Sequence, residues 1–477
     1  MNNIDKPGEN CAVFGIYGHK EASKLTYLGL YSLQHRGQEG CGIVSSDGSE
    51  VFVHKGRGLV SDVFSSPGIF RHLKGYIAIG HNRYSTTGSN LPSNVQPFVV
   101  ECRDGPLAIS HNGNFVNTNF LRKLLVKEGS IFQTSTDSEL LVHIIARSKE
   151  ENLVLKLKEC LAKIKGAYSI VMLVKDKLIA VRDPNGFRPL CIGKKRNCYI
   201  ITSESCALDL LGAEYQRDVK PGELIVIDKN GLSSHQIFQP EKLTFCIFEF
   251  IYFSRPDSKI FGEYVDKTRR KLGKNLALEK PANADIVISV PDSSNTAALG
   301  YSHKSGIKFE LGLIRNHYIG RTFIQPSQPL RDFNVKVKFN AVGGVIKNRR
   351  IVVVEDSIVR GTTLKMLARL IKNAGAKEIH IRVSSPPIRY PCYYGMDFPT
   401  EEELIASSLS VEEIRKFLNV DSLGYLSIQG LLDSVPKNDA GFCNACFSGD
   451  YPVPIEERLL KNQYEIFNHI HLSDKVR

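Results

Sequence analysis

No tryptophan occurs in the 477 residues of this chain, a shortage that by itself points to no function. Other absences exclude more. No stretch approaches the roughly 18 apolar residues that cross a bilayer, so neither a membrane-spanning helix nor a membrane partner is expected. The first ten residues, MNNIDKPGEN, lack an apolar core and do not read as a secretory signal. Neither an internal repeat nor a low-complexity tract is present. Without a secretory signal, the 11 cysteines do not read as a disulfide framework. A cytoplasmic location is expected.

What is present is an ordinary folded composition, 42% hydrophobic and 23% charged, which excludes a disordered or fibrous chain. The length exceeds one hydrophobic core and fits two or three domains. Lys+Arg 62 against Asp+Glu 50 leaves a charge of +12. The excess is spread along the chain, with modest enrichment at 194–196, 269–271 and 347–350. That spread argues against nucleic acid and for a small anionic substrate.

The first half reads as strands and loops. CAVFGIYG, GIVSSDG, EVFVHKG, YIAIGHNRYS and LAISHNGN are short runs punctuated by Gly, Asn and Asp. TYLGLYSLQHRG has helical periodicity, a helix is predicted at about 117–127, and another opens behind Thr136-Asp137, an N-cap signal. AYSIVMLVKDKLIAVRDPNG, YIITSES and PGELIVIDKNG continue as strands. Two antiparallel sheets between helices, an αββα sandwich, fit this order. In the second half DIVISVPDSS, FELGLIRN, RIVVVEDS and EIHIRVSSPP alternate with helical stretches near 296–304, 362–374 and 402–418, as in βαβ units around a parallel sheet. The boundary is expected near Pro240, giving segments 11–240, 241–400 and 401–477, the last helical and then irregular.

The sharpest local motif is RIVVVEDSIVRGTTL, residues 350–364. An apolar strand ends at Glu355-Asp356, and a loop through Ser357, Arg360 and Gly361 opens a helix at Thr362-Thr363. Ligands of such folds sit at the carboxyl ends of parallel strands. Loop amides, threonine hydroxyls and the helix N-terminus converge as donors, which suits a phosphate. Two adjacent carboxylates beside it suit vicinal ribose hydroxyls or a hydrated Mg²⁺. SVPDSSNTAA, 289–298, ends another strand and offers amides and hydroxyls to a pyrophosphate. RNHYIGRTFIQPSQPLRD, 315–332, with Arg315, Arg321 and Arg331, reads as a lid closing on a polyanion. The string EDSIVRGTT resembles the 5-phosphoribosyl pyrophosphate (PRPP) signature of type I phosphoribosyltransferases. The resemblance implies that Glu355, Asp356, Ser357, Arg360, Gly361, Thr362, Thr363, Arg321 and Lys338 contact PRPP. It also implies Mg²⁺ at Ser293, Glu355 and Asp356.

Cys11 follows Glu9-Asn10 and starts an apolar strand, which alone describes a buried strand cysteine. Four polar clusters change that reading: QHRGQEG at 34–40, HNRYSTTG at 81–88, SHNGN at 110–114 and STDSE at 135–139, each expected at the end of a strand or helix. With CAVFGI they resemble the glutaminase domain of class II glutamine amidotransferases, the N-terminal-nucleophile hydrolases. Together with the PRPP string, essentially the whole chain resembles the glutamine PRPP amidotransferases. That resemblance implies removal of residues 1–10 as a propeptide. Cys11 then becomes the nucleophile and, through a freed α-amine of pKa about 7.7–8.0, its own base. It further implies an oxyanion hole from the Asn112 side chain and the Gly113 N–H, Arg83 on the glutamine α-carboxylate and Asp137 on its α-ammonium. The Arg36-Gly37 turn completes that pocket. Cys41 stands where the family has a small Ala or Ser, a tolerated replacement that sets a second thiol near the site, open to alkylating probes.

Cys443 and Cys446, in FCNACF, have metal or redox spacing, which alone leaves Zn²⁺, a dithiol or unrelated buried thiols open. The family has forms with and without a [4Fe–4S] cluster. Resemblance to the cluster-bearing form adds Cys246 and Cys392 as ligands and implies a structural role. It also implies a homo-oligomer, usually a tetramer, inhibited by purine nucleotides. The reaction implied is glutamine, PRPP and water giving 5-phosphoribosylamine, glutamate and pyrophosphate, the first committed step of purine synthesis. Two rivals stand beside it. A glutaminase serving another acceptor would lack the EDSIVRGTT string, and a PRPP-sensing DNA-binding regulator would leave the glutaminase motifs idle.

Overall fold

The computed structural model describes residues 11–84, 91–240, 242–316, 338–396, 400–437 and 441–455. The expected propeptide, Arg321, Arg331 and most of the expected lid lie outside the described residues.

Strand Ala12–Tyr17 shows why the first half folds as it does. Side chains alternate along a strand. Ala12, Phe14 and Ile16 pack with Ala22 and Leu30 of helix Ala22–Ser32, whereas Val13 and Tyr17 pack with Val171, Leu173 and Ala180 of a second sheet. The strand lies inside a seven-stranded antiparallel sheet, between Cys198–Thr202 and Ile77–Arg83. The facing sheet has six strands, and helices Thr118–Lys127, Ser138–Arg147 and Leu153–Leu161 cover its outer side. Helix, sheet, sheet, helix is the expected αββα sandwich. Each fully buried Val, Leu or Ile in it contributes about 1.5–3 kcal/mol. Gly15 lets the sheets approach: a Cβ there would lie 2.8 Å from Val171 Cγ1 and 2.9 Å from Leu178 Cδ1. Gly15→Val would push the layers apart.

Beyond residue 242 a second architecture begins. Four parallel strands run in the order Ile286–Ser289, Arg350–Glu355, Glu378–Val383 and Ser422–Tyr425. The apolar run of the second strand follows from its burial on both faces. Val352 and Val354 meet Leu272 and Leu276 of helix Val265–Glu279, while Ile351 and Val353 meet Leu364, Leu367 and Ile371 of helix Thr362–Asn373.

Four expectations need correction. FELGLIRN does not join the parallel sheet. Phe309 makes one bridge to Val287, and Leu313–Arg315 pairs antiparallel with Phe339–Ala341. The segment passes over Ile288, whose Cγ2 would lie 2.7 Å from a Cβ on Gly312. The stretch at 402–418 is three short pieces, because Ser410 and Glu413 form a capping box that restarts the chain at Val411–Leu418. Strand Ser422–Tyr425 falls where no strand is expected. Helices Leu153–Leu161 and Val265–Glu279 are also unannounced, the second because its buried face includes Thr268 and Arg269. Among the described residues, no helix is long and apolar enough to cross a membrane.

Candidate active sites

Cys11 lies directly before strand Ala12–Tyr17 and is 8% exposed. Its Sγ donates to the Tyr84 carbonyl at 3.4 Å, and its own carbonyl accepts from Arg36 Nε at 3.2 Å. Burial pushes the thiol up. The Tyr84 bond and the Arg83 guanidinium oppose this, and Asp137 and Glu39 add to it. Cys11, Arg83 and Asp137 therefore share one electrostatic neighbourhood. Arg83 ends its strand, is 2% exposed, and donates from Nη1 to the Asn94 carbonyl at 2.9 Å.

Asp137 stands at the expected N-cap position but makes no cap bond. Its carboxylate accepts from the Phe115 amide at 2.9 Å and from the Ser138 hydroxyl at 3.2 Å, tying helix Ser138–Arg147 to strand Gly105–Phe115. That strand carries Asn112 and Gly113 inside its 11 residues rather than at its end, as the sequence pattern had suggested. Asn112 is 0% exposed, and neither Nδ2 nor Oδ1 has a hydrogen-bond partner among the described residues. An unpaired buried amide costs about 1–3 kcal/mol, so it calls for a reason. Gly113 has φ +151°, and a Cβ there would lie 2.0 Å from the Ala167 carbonyl oxygen. No other residue type fits. Behind the strand, His111 Nδ1 meets Ser138 Oγ at 2.9 Å, and Gln96 accepts from the His111 amide at 2.8 Å. Burial pulls His111 and His81 down from the ordinary imidazole value, the second to about 3.

Gly37 packs on the pocket strand, where a Cβ would lie 2.8 Å from the carbonyl carbons of Asn82 and Arg83. Beyond the Cys11 carbonyl, the Arg36 guanidinium is committed to Glu204 at 2.5 Å and to Glu249 at 2.8 and 2.9 Å. What Arg36-Gly37 offers the pocket is its backbone turn. Cys41 is 0% exposed among Leu33 and Ile43, and burial pushes it up to about 12, so it carries no thiolate at neutral pH.

The second site forms where two parallel strands end side by side, Ser289 in register with Val354. Glu355 and Asp356 are 4% and 1% exposed. Ser294 donates to Glu355 Oε1 at 3.0 Å, Ser293 to Asp356 Oδ2 at 2.5 Å and Ser357 to Asp356 Oδ1 at 2.6 Å. Gly361, at φ +75°, turns the chain into helix Thr362–Asn373, so Thr362 and Thr363 open the helix behind this pair. Arg360 is held by Glu403 at 3.1 Å and Arg315 by Asp292 at 3.0 Å. Lys338 accepts at its carbonyl from the Asn316 amide at 2.8 Å, just before Phe339–Ala341. Two carboxylates and a serine hydroxyl suit Mg²⁺, which takes its remaining ligands from water and substrate phosphates.

Cys246, Cys392, Cys443 and Cys446 line one cavity with Phe248, Tyr394 and Met396. Parallel pairing of Thr244–Cys246 with Gly441–Cys443 sets Cys246 opposite Cys443. Burial pushes the Cys246 thiol up to about 11, and those of Cys443 and Cys446 higher still. Among the described residues, no three His, Cys, Asp or Glu side chains converge tightly enough for a single metal ion. Four thiols spread around an apolar cavity fit a multi-iron cluster better than one tetrahedral Zn²⁺.

Sequence reading missed the buried charges between these sites: Arg188, Glu204, Glu249 and Arg269, each 0–2% exposed. A lone charged residue looks like surface. The available signal was Glu249, set inside the apolar run FCIFEFIYF.

Known proteins share this arrangement. Residues 81–210 match the glutamine amidotransferase domain family. Amidophosphoribosyltransferase 1, chloroplastic, of Arabidopsis thaliana is 51% identical over 462 residues, 96% of this chain and 81% of that protein. The amidophosphoribosyltransferase of Bacillus subtilis is 49% identical over 452 residues, 94% of this chain and 95% of that protein. The solved structure of the allosteric regulatory enzyme of purine biosynthesis matches with TM-score 0.90 at 48% identity, covering 94% of this chain and 98% of its own. The B. subtilis glutamine PRPP amidotransferase complexed with ADP and GMP matches with TM-score 0.89 at 48% identity, covering 94% and 99%. With both halves matched together and at this identity, the chain belongs to the amidophosphoribosyltransferase family.

Proposed function

We propose that this chain converts glutamine, PRPP and water into 5-phosphoribosylamine, glutamate and pyrophosphate, the first committed step of purine synthesis. Removal of residues 1–10 frees the Cys11 α-amine, which takes the thiol proton as Sγ attacks the glutamine amide carbon. Asn112 Nδ2 and the Gly113 N–H receive the developing oxyanion, at about 3–4 kcal/mol per donor. The protonated amine returns its proton to the departing ammonia, and water then hydrolyses the thioester to glutamate. Arg83 pairs with the substrate carboxylate, Asp137 holds its ammonium and the Arg36-Gly37 turn closes the pocket.

Ammonia travels inside the protein to the ribose C1 of PRPP. Glu355 and Asp356 hold the ribose hydroxyls, and Ser357, Arg360, Gly361, Thr362, Thr363, Arg321 and Lys338 bind the phosphates. Ser293, Glu355 and Asp356 would hold Mg²⁺, which when bound neutralises the departing pyrophosphate. Cys246, Cys392, Cys443 and Cys446 would hold a structural [4Fe–4S] cluster. A homotetramer, purine-nucleotide ligands and a cytoplasmic location belong to the same reading and rest on the family resemblance.

The observation that carries this reading is the Asn112 amide, without a partner among the described residues and buried on the strand that Asp137 ties to helix Ser138–Arg147. Cys11→Ala tests it. Glutamine-dependent turnover should fall by about 10⁴-fold or more, while ammonia-dependent synthesis persists. Loss of both in a folded variant would overturn the two-site reading.

A further inference from the structure

The strand that carries Asn112 and Gly113 loses one of its two neighbours partway along. Strand Phe98–Cys102 pairs with it only as far as Phe98 opposite Ile109, whereas Gly166–Val174 follows it to Phe115. Backbone amides alternate between the two edges of a strand. Those of His111, Gly113 and Phe115 therefore face the edge that Phe98–Cys102 has left. Side chains take the outer two: Gln96 Oε1 accepts from the His111 amide at 2.8 Å, and Asp137 Oδ2 from the Phe115 amide at 2.9 Å. The Gly113 amide lies between these clamps. Gln96 also donates from Nε2 to the Ser138 hydroxyl at 3.1 Å. Two residues earlier, Asn94 meets the other pocket groups. Its carbonyl accepts from Arg83 Nη1 at 2.9 Å, its Nδ2 donates to Ser135 Oγ at 3.0 Å, and its Oδ1 accepts from the Ser135 amide at 3.2 Å. Asn94 and Gln96 are 0% and 3% exposed, and Lys55 fastens the stretch between them by donating to the Val95 carbonyl at 2.8 Å. One short segment thus touches Arg83, the residues just before Asp137 and the strand of Asn112.

We propose that Asn94 and Gln96 are positioning residues of the glutamine pocket, Asn94 spacing Arg83 from Asp137 and Gln96 aiming the Gly113 amide. Neither touches a reacting atom. The carboxylate and ammonium of an α-amino acid hang on one carbon, so their two partners must stand at a fixed separation. Arg83 ends one strand and Asp137 precedes a helix, and Asn94 bonds to both sides of that gap. Losing the clasp weakens binding of the amino-acid end in ground state and transition state alike, which raises KM. The Gly113 amide matters only once the carbonyl oxygen gains charge, so misaiming it lowers kcat. Gln96 fills the place of the departed strand with one side chain, which fixes the edge and leaves the Gly113 amide uncovered. The inference rests on the reading of Cys11, Arg83, Gly113 and Asp137 as the glutamine site.

The test uses the full-length chain. It follows glutamine hydrolysis, ammonia-dependent synthesis and hydrolysis of γ-aminobutyramide, which is glutamine without its carboxylate. Gln96→Met removes the acceptor for the His111 amide, and kcat for glutamine should fall by about tenfold or more, with KM held within about threefold. Asn94→Ala should do the reverse: KM for glutamine rises by about tenfold or more, and kcat stays within about threefold. Its preference for glutamine over γ-aminobutyramide, the ratio of the two kcat/KM values, should shrink by at least about fivefold. Gln96→Met should leave that ratio unchanged. Ser135→Ala breaks the same clasp as Asn94→Ala, so the double variant should lose no more than the worse single. Ammonia-dependent synthesis should stay within about twofold throughout, because that site is remote from the clasp. If the first variants fail to fold, Gln96→Asn, too short for the same reach, and Ser135→Ala carry the two arms with the same expected signs. Wild-type kinetics in a folded variant, the same kcat and KM changes in both arms, or a parallel fall in ammonia-dependent synthesis would each overturn the assignment. Arg83→Ala separates the two failures: an unchanged preference for glutamine there refutes Arg83 as the carboxylate partner, whatever the Asn94 variant does.

Discussion

The two sites handle buried polarity in opposite ways. On strand Gly105–Phe115 a donor is left without a partner: the Asn112 amide sits 0% exposed with neither polar atom bonded among the described residues. At the acid pair the polar atoms are held already, Glu355 by Ser294 and Asp356 by Ser293 and Ser357. On the proposed mechanism the Asn112 amide awaits an oxyanion that exists only during reaction, so it stays idle until then, at the expense of stability. A ground-state ligand with many oxygens can instead displace hydroxyls that merely hold the carboxylates in place. Serine hydroxyls rotate away cheaply, whereas a misaimed amide inside a sheet cannot. Pre-organisation thus means an empty donor in one site and a filled placeholder in the other.

Asp356→Asn should test the filled side most strongly. Synthesis with glutamine and with ammonia should fall together by about 10²-fold or more; a loss confined to glutamine would sink the assignment. On the empty side, Asn112→Leu should lower glutamine-dependent turnover by about 10²–10³-fold and leave ammonia-dependent synthesis intact. Its melting temperature should hold or rise, because an unpaired buried amide costing about 1–3 kcal/mol is removed. A clear drop in melting temperature would mean that Asn112 is structurally satisfied. Cys392→Ser should reduce iron from about four per chain and lower the melting temperature by several degrees, and full iron content in the variant would remove it as a ligand.

The smallest effect concerns the hub between the sites. Burial alone would raise the Glu204 and Glu249 carboxyls, but His35 and Arg36 on the first, and Arg36 on the second, more than offset it, so both sit below their ordinary 4.5. A depressed carboxyl contributes stability above its unfolded value and loses it as pH falls through the folded value. Melting temperature should therefore drop as pH is lowered below about 4.5, and less steeply in Glu249→Gln. Equal slopes would show that the pair does not carry the acid sensitivity.

Much of the fold was legible because it repeats a local rule. The apolar run CAVFGIYG anticipates a strand, and the fully apolar RIVVV anticipates a strand of a parallel sheet. The acid pair and its serines were legible because they cluster at strand ends in short segments. Strand Ser422–Tyr425 was not, since four residues carry too little period. Arg269 reads in sequence as part of a basic surface patch, yet its guanidinium is buried against the carbonyls of a turn 15 to 19 residues away. Such contacts have no local signature. Asp137 is the intermediate case: it stands where a helix cap belongs, but tertiary structure gives its carboxylate the Phe115 amide instead.

The most direct test of a Cys11-centred ammonia source feeding an acid-pair acceptor is one sample measured two ways. Active protein is given glutamine and PRPP with Mg²⁺, glutamate and pyrophosphate are counted, and the intact mass of the same chain is taken. Equal release of the two products, from a chain that begins at Cys11, is the expected result. Glutamate without pyrophosphate, or full activity in a chain still carrying residues 1–10, would contradict it.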